Sequence, residues 1–204
     1  MQALPAPIGA TRARFRRRLA RAVAVAFLAA ATAAPACGLE DPSSISSMRG
    51  ALNMAFPDAL HVGTAVWQAQ AAGTLPRDEL LQRDDLAPEA RATLRLFKAN
   101  ALMRQLAARL DDEQARRANP RLAVVLIGPV LWTRFTAQEG KVVASFHAPG
   151  PEFGDVVVVT EAAVVEAIVR GDLTFAVALE RRVARLYGAD ETVAAARAWL
   201  VAQP

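Results

Sequence analysis

Two uninterrupted apolar runs constrain this chain's fold more than any other feature. Residues 122–127 read LAVVLI, and residues 155–160 read DVVVVT with four successive valines. A half-buried strand alternates apolar and polar residues, and an amphipathic helix breaks its apolar run every third or fourth position; neither run does so. Short, valine-rich and bounded by Pro120, Gly128-Pro129 and Gly154, both read as strands buried on two faces. The expected class is α+β: a helical N-terminal half followed by a small, mainly antiparallel sheet covered by helices.

The remaining elements follow from turn chemistry and periodicity. Residues 130–136 continue the first run, with a kink or bulge at Gly128-Pro129. Gln138-Glu139-Gly140-Lys141 makes a turn, and 141–147 pairs back as a hairpin. The loop 148–154 carries two Gly and two Pro. Thr160 can cap a helix over 161–170, which Gly171 ends. Ahead of a boundary at Asn119-Pro120, residues 43–118 read as helical. Pro57-Asp58 starts a helix over 58–72 and Gly73 stops it. Residues 76–83 form a short helical turn. The strongest helix covers 88–110, with Pro88 in its first turn, Asp85 as a cap and Glu89 at the positive end of the dipole. There Ala90, Leu94, Phe97, Ala101, Leu106 and Leu110 make one apolar stripe, and Arg91, Arg95, Lys98, Arg104 and Arg109 fill the other side. Asp111-Asp112-Glu113 breaks the stripe.

The formal net charge is +4, from 24 basic and 20 acidic residues. Six of those arginines (Arg12, Arg14, Arg16, Arg17, Arg18 and Arg21) precede Cys37, while the first acidic residue is Glu40. The rest of the chain is therefore slightly acidic. This removes support for nucleic-acid binding, which needs a clustered cationic surface. The arginines instead form the cationic part of an export signal over 1–36. Residues 22–34 (AVAVAFLAAATAA) supply 13 uncharged apolar positions, and Ala34-Pro35-Ala36 supplies small residues before Cys37. A spanning helix needs about 20 apolar residues, so a leader that is removed, leaving a body that is soluble, is expected. The Ser-rich stretch to residue 47 reads as a tether. The domain plan is thus 1–36 signal peptide, 37–47 tether, 48–118 helical segment and 119–204 α+β domain.

Cys37 is the only cysteine, so no intramolecular disulfide can form. Its setting resembles the lipobox of bacterial lipoproteins, with Ala34 where Leu is usual and Pro35 between. That resemblance implies diacylation of Cys37 and membrane attachment through the acyl anchor alone, since two acyl chains suffice for stable anchoring. By resemblance to the sorting rule of enteric bacteria, Gly38 rather than Asp after the cysteine implies the outer over the inner membrane. Cleavage by ordinary signal peptidase, leaving a free thiol, is the alternative.

Residues 121–202 carry a second resemblance. The strand 154–160 ends in Thr160-Glu161; a helix follows over 161–170 and stops at Gly171. Leu173 and Ala178 lie two and seven residues on, and Val183-Ala184-Arg185-Leu186-Tyr187-Gly188 closes 17 residues after Gly171. A helix over 190–202 ends the chain. This pattern resembles the sterol carrier protein type 2 fold. Arg182 stands where that family has a glycine, which leaves one continuous helix over 175–187 as the alternative to a closing strand. The resemblance implies a tunnel beneath a curved sheet that holds a lipid or another apolar molecule. Its candidate wall residues are Trp132, Phe146, Val165, Ile168, Phe175, Leu179 and Trp199, with ordinary core packing the alternative for each.

No catalytic chemistry is legible. His61 and His147 belong to no paired-ligand pattern, so no metal is expected. Asp84-Asp85 and Asp111-Asp112 lie at helix ends, where they read as caps or dipole partners rather than as catalytic carboxylates. Four of the five serines lie in the tether, and no nucleophile motif or glycine-rich phosphate loop occurs. The expected function is an exported envelope protein, neither an enzyme nor a cofactor carrier, that binds an apolar small molecule or lipid. The alternative is an assembly protein whose helical half (Met48, Met54, Phe56, Trp67, Phe97, Met103) docks onto an envelope protein partner.

Overall fold

The computed structural model describes residues 44–111, 121–139 and 141–203. The leader 1–36, Cys37, most of the expected tether, the 119–120 boundary, residues 112–113 and Gly140 lie outside the described residues. The elements run α1 (Ile45–Ala55), α2 (Ala59–Ala71), a 3-10 turn (Glu79–Gln82), α3 (Pro88–Leu110), β1 (Leu122–Leu126), β2 (Leu131–Gln138), β3 (Lys141–Phe146) and β4 (Val156–Thr160). After these come α4 (Ala162–Arg170), α5 (Phe175–Glu180), β5 (Arg185–Tyr187) and α6 (Asp190–Val201). The class is α+β: helices first, then a five-stranded mixed sheet packed among helices.

The strand order is β3-β2-β1-β4-β5. Only β1–β4 is parallel, pairing Leu126 with Thr160; β1–β2, β2–β3 and β4–β5 are antiparallel. The two apolar runs are the central pair, and every residue of β1 and β4 is buried. Alternation along a strand divides them between two faces. Leu122, Val124 and Val158 face α3, α4 and α5. Val125 and its partner Trp132 point the other way, where the Phe56 ring meets Trp132 at 5.9 Å and Tyr187 at 5.4 Å.

Several local expectations are corrected. Gly128-Pro129 does not kink a continuing strand: residues 127–130 form a tight turn closed by Val130 N–H to Ile127 O, and β2 runs back antiparallel to β1. The tether stops short of residue 47, because Ile45, Met48 and Leu52 share one helical face against the core. Asp85 does not cap α3; it pairs with Arg83, and Ala87 stands at the cap position. Thr160 does not cap α4, because its Oγ1 donates to Val183 O at 3.0 Å. The buried stripe of α3 is Ala99, Leu102, Met103, Leu106, Ala107 and Leu110, leaving Leu94 and Phe97 exposed.

The 175–187 segment is a helix, a turn and a strand rather than one helix. Arg182 takes φ 57°, the left-handed conformation that a helix-to-strand reversal needs. A side chain there costs about 1–2 kcal/mol, of which glycine's extra chain entropy takes back about 0.5–1. Arg182→Gly is therefore expected to stabilise the fold by about 0.5–1 kcal/mol, read as a higher denaturation midpoint. A lower midpoint would mean that the exposed Arg182 side chain contributes more than its backbone conformation costs.

Candidate functional site

The space between the sheet and α4, where an apolar ligand would lie, is closed. A void of about 10 Å³ remains there, lined by Leu106, Leu110, Leu122, Val124, Val158, Thr160, Val165, Ile168, Phe175 and Ala184. That is room for one water at most. Of the seven candidate wall residues, Val165, Ile168 and Phe175 meet at this void. Trp132 is on the opposite face of the sheet. Phe146 lies under the Arg104 guanidinium, 5.3 Å from the ring centroid. Leu179 is partly buried on α5, and Trp199 is buried on α6.

A recess built from several elements lies elsewhere, at the carboxyl ends of β1 and β4. Open sheets with parallel strands characteristically take ligands at that end, because the chain turns into helices there and leaves a crevice. The cleft has a volume of about 230 Å³. Its floor is Leu126 and the Gly128-Pro129 turn. One wall is Gly63, Val66, Trp67 and Gln70 of α2; the other is Arg95, Lys98 and Ala99 of α3 with Ala162, Ala163 and Glu166 of α4. Arg49 reaches in from α1, and Arg77, Asp78 and Leu81 form the rim. A shallower depression shares Arg49, Gly63, Trp67 and Glu161 with it.

Glu161 sits at the junction of β4 and α4. Burial pushes its carboxyl pKa up, against the opposing pull of the Gly128 and Ala162 N–H groups and the Arg49 and Arg95 charges. Gly128 makes the close approach possible: a Cβ there would stand 3.1 Å from Glu161 Oε2. Arg49 holds the same turn, donating from Nε to Ile127 O at 3.2 Å and from Nη2 to Gly128 O. Two other cations of the cleft are paired. Arg95 Nε donates to Asp78 Oδ2 at 2.8 Å, and Lys98 Nζ lies 2.8 Å from Glu166 Oε2. Because the folded-state pKa of Glu161 is raised, ionising it costs stability. The cost grows as pH rises from the ordinary glutamate range towards the raised value.

A desolvated carboxyl beside cations in a crevice makes a candidate binding site. Little in the sequence warned of it. Arg95 and Lys98 read as a polar helix face, Glu161 as the start of a helix, and Arg49 had no role. The available signal was topological: a residue directly after a strand that pairs in parallel opens at the sheet's carboxyl end. Trp67, one of the helical-half residues of the assembly alternative, lines this cleft and is 68% exposed.

His61 lies 3.4 Å from Asp58 Oδ1 on the surface. No group of three or more potential metal ligands occurs among the described residues. No helix among them is long and apolar enough to cross a membrane. The chain matches no family model, no curated protein and no solved structure.

Proposed function

We propose that this is an exported envelope protein, anchored through acylated Cys37, that binds a small, partly apolar molecule without catalysis. It takes that ligand in the α1–α2–α3 cleft rather than beneath the sheet. The observation that supports this most is the contrast between a cleft of about 230 Å³ and an interior void of about 10 Å³. The cleft's apolar walls supply affinity in proportion to the area they cover, and its few charged groups supply orientation. Gly171 and Gly188 both take positive φ, and Leu173 and Ala178 are both buried, which is compatible with the sterol-carrier resemblance.

Trp67 offers a direct test, because Trp132 and Trp199 are buried and give a constant background. Lipid extract and small aromatic or acyl compounds are titrated into the full chain. A change in emission that disappears in Trp67→Phe supports the cleft. Uptake that leaves Trp67 silent and is abolished by filling the interior overturns it. The anchor is tested separately: Cys37→Ser is expected to move the protein from the membrane to the released envelope fraction. Undiminished membrane attachment would place the anchor elsewhere.

A second reading, docking onto an envelope partner through the helical half, is favoured by exposed apolar side chains. Met54 is 87% and Phe97 is 64% exposed. Crosslinking in intact membranes that recovers one partner through α1–α3, and loses it in Phe97→Ser, would favour this reading.

A further inference from the structure

The charge arrangement of the cleft narrows its ligand. Four cations line it (Arg49, Arg77, Arg95 and Lys98) against three carboxylates (Asp78, Glu161 and Glu166). Two cation–carboxylate pairs, Arg95–Asp78 and Lys98–Glu166, satisfy each other across α3. Arg77 sits on the rim, with its Nε towards Gln70 O at 3.4 Å. Arg49 forms no ion pair among the described residues and gives only its Nε and one Nη2 N–H to turn carbonyls. The inner cleft therefore presents one cation with no carboxylate partner, one desolvated carboxyl and an aromatic wall.

We propose that this cleft binds a small organic carboxylate, its charge met by Arg49 and its apolar part laid against Trp67 and Pro129. The proposal rests on the cleft reading above. In the inner cleft only Arg49 lacks a carboxylate partner, which favours a singly charged ligand. A dianion would stand against Asp78, Glu161 and Glu166 together. A cationic ligand would have to displace Arg95 and Lys98 from their carboxylates or sit beside Arg49. An incoming carboxylate lies close to Glu161, and two neighbouring carboxylates cannot both stay ionised cheaply. The groups facing Glu161 are Arg49 from α1, Arg95 and Lys98 from α3, Glu166 from its own helix, and Asp78 and Arg77 from the rim. Asp78 and Glu166 are already paired with Arg95 and Lys98. Ligand binding is therefore coupled to protonation of Glu161, and affinity falls as pH rises.

Three probes of one size separate the possibilities: benzoate, neutral benzamide and cationic benzylamine, titrated into the full chain by calorimetry and Trp67 emission. The expected result is benzoate bound at least tenfold tighter than the other two. Its affinity should fall by up to about tenfold per pH unit across the ionisation of Glu161. Glu161→Gln, which is close in shape, should bind benzoate at least as well and lose the pH slope. Arg49→Gln should lose tenfold or more; where it destabilises the turn, the Glu161→Gln slope still decides. Preference for benzylamine, equal binding of benzamide, or a benzoate affinity that rises with pH would overturn the carboxylate proposal and leave the cleft standing. No response to any probe would overturn the cleft reading and this inference with it.

Discussion

Replacing Asp155 with Asn is expected to cost about 3 kcal/mol of folding stability. Asp155 precedes β4, and its side chain is 1% exposed. Its Oδ2 accepts from Arg134 Nε at 2.9 Å and from the Glu152 N–H at 2.8 Å; its Oδ1 accepts from Arg121 Nε at 3.2 Å. The loop 148–154 is thereby tied to β2 and to the start of β1. Burial alone would push this carboxyl's pKa up. The Arg134 hydrogen bond, the Glu152 N–H and the charges of Arg134 and Arg121 outweigh burial and hold it down. Asn removes the charge and one acceptor, leaving two guanidiniums short of a partner. Breaking a buried pair costs about 3–5 kcal/mol, and the low end applies because Arg121 is 42% exposed and can hydrate. Glu152→Gln is the control: its carboxylate is mostly exposed, so its loss should cost about 1 kcal/mol or less. The pH dependence has a definite sign. A depressed carboxyl gives stability that is full above its unfolded value and lost as pH falls through the folded one. The parent should therefore lose stability in acid more steeply than Asp155→Asn, measured by urea denaturation at several pH values. Equal acid limbs would show that other carboxylates dominate.

The same cluster shows what could be read from the chain alone. The two apolar runs predicted the buried central strands because a strand covered on both faces leaves no polar position. The helix stops at Gly73 and Gly171 were equally plain, since both take the left-handed conformation that glycine adopts without strain. What failed were assignments resting on one polar residue with several possible partners. Thr160 reads locally as a cap, but its hydroxyl is claimed by Val183, 23 residues away. Asp85 likewise reads as a cap and is taken by Arg83. Leu94 and Phe97 fit a helical period, yet which side of that period is buried depends on where the sheet and α4 lie. The cleft was illegible for the same reason. Arg49, Arg95 and Glu161 lie far apart in sequence, and nothing local marks them as converging.

Phe175→Ala is expected to cost about 3–5 kcal/mol, the range for removing a buried aromatic side chain, because the site cannot collapse around the loss. Phe175 is buried at the start of α5, where it lines the void between the sheet and α4. Its neighbours Leu110, Leu122, Val165 and Ile168 belong to three different elements, so no single shift fills the gap. The new space is lined by aliphatic groups, and such a cavity stays dry and accepts small apolar molecules. Benzene or xenon should therefore raise the melting temperature of Phe175→Ala and leave that of the parent unchanged. Where that variant is too unstable to purify, Phe175→Leu, with a smaller cavity, should show the same response at lower amplitude. This experiment also decides whether the carrier resemblance extends to function. A parent that takes up an apolar probe beneath its sheet, without help from the mutation, would show that the side chains at this void yield to a ligand. The binding site would then lie there and not beside Trp67. A parent that takes up none, beside a variant that does, would leave a sheet packed solid on its helices and keep the binding function in the cleft.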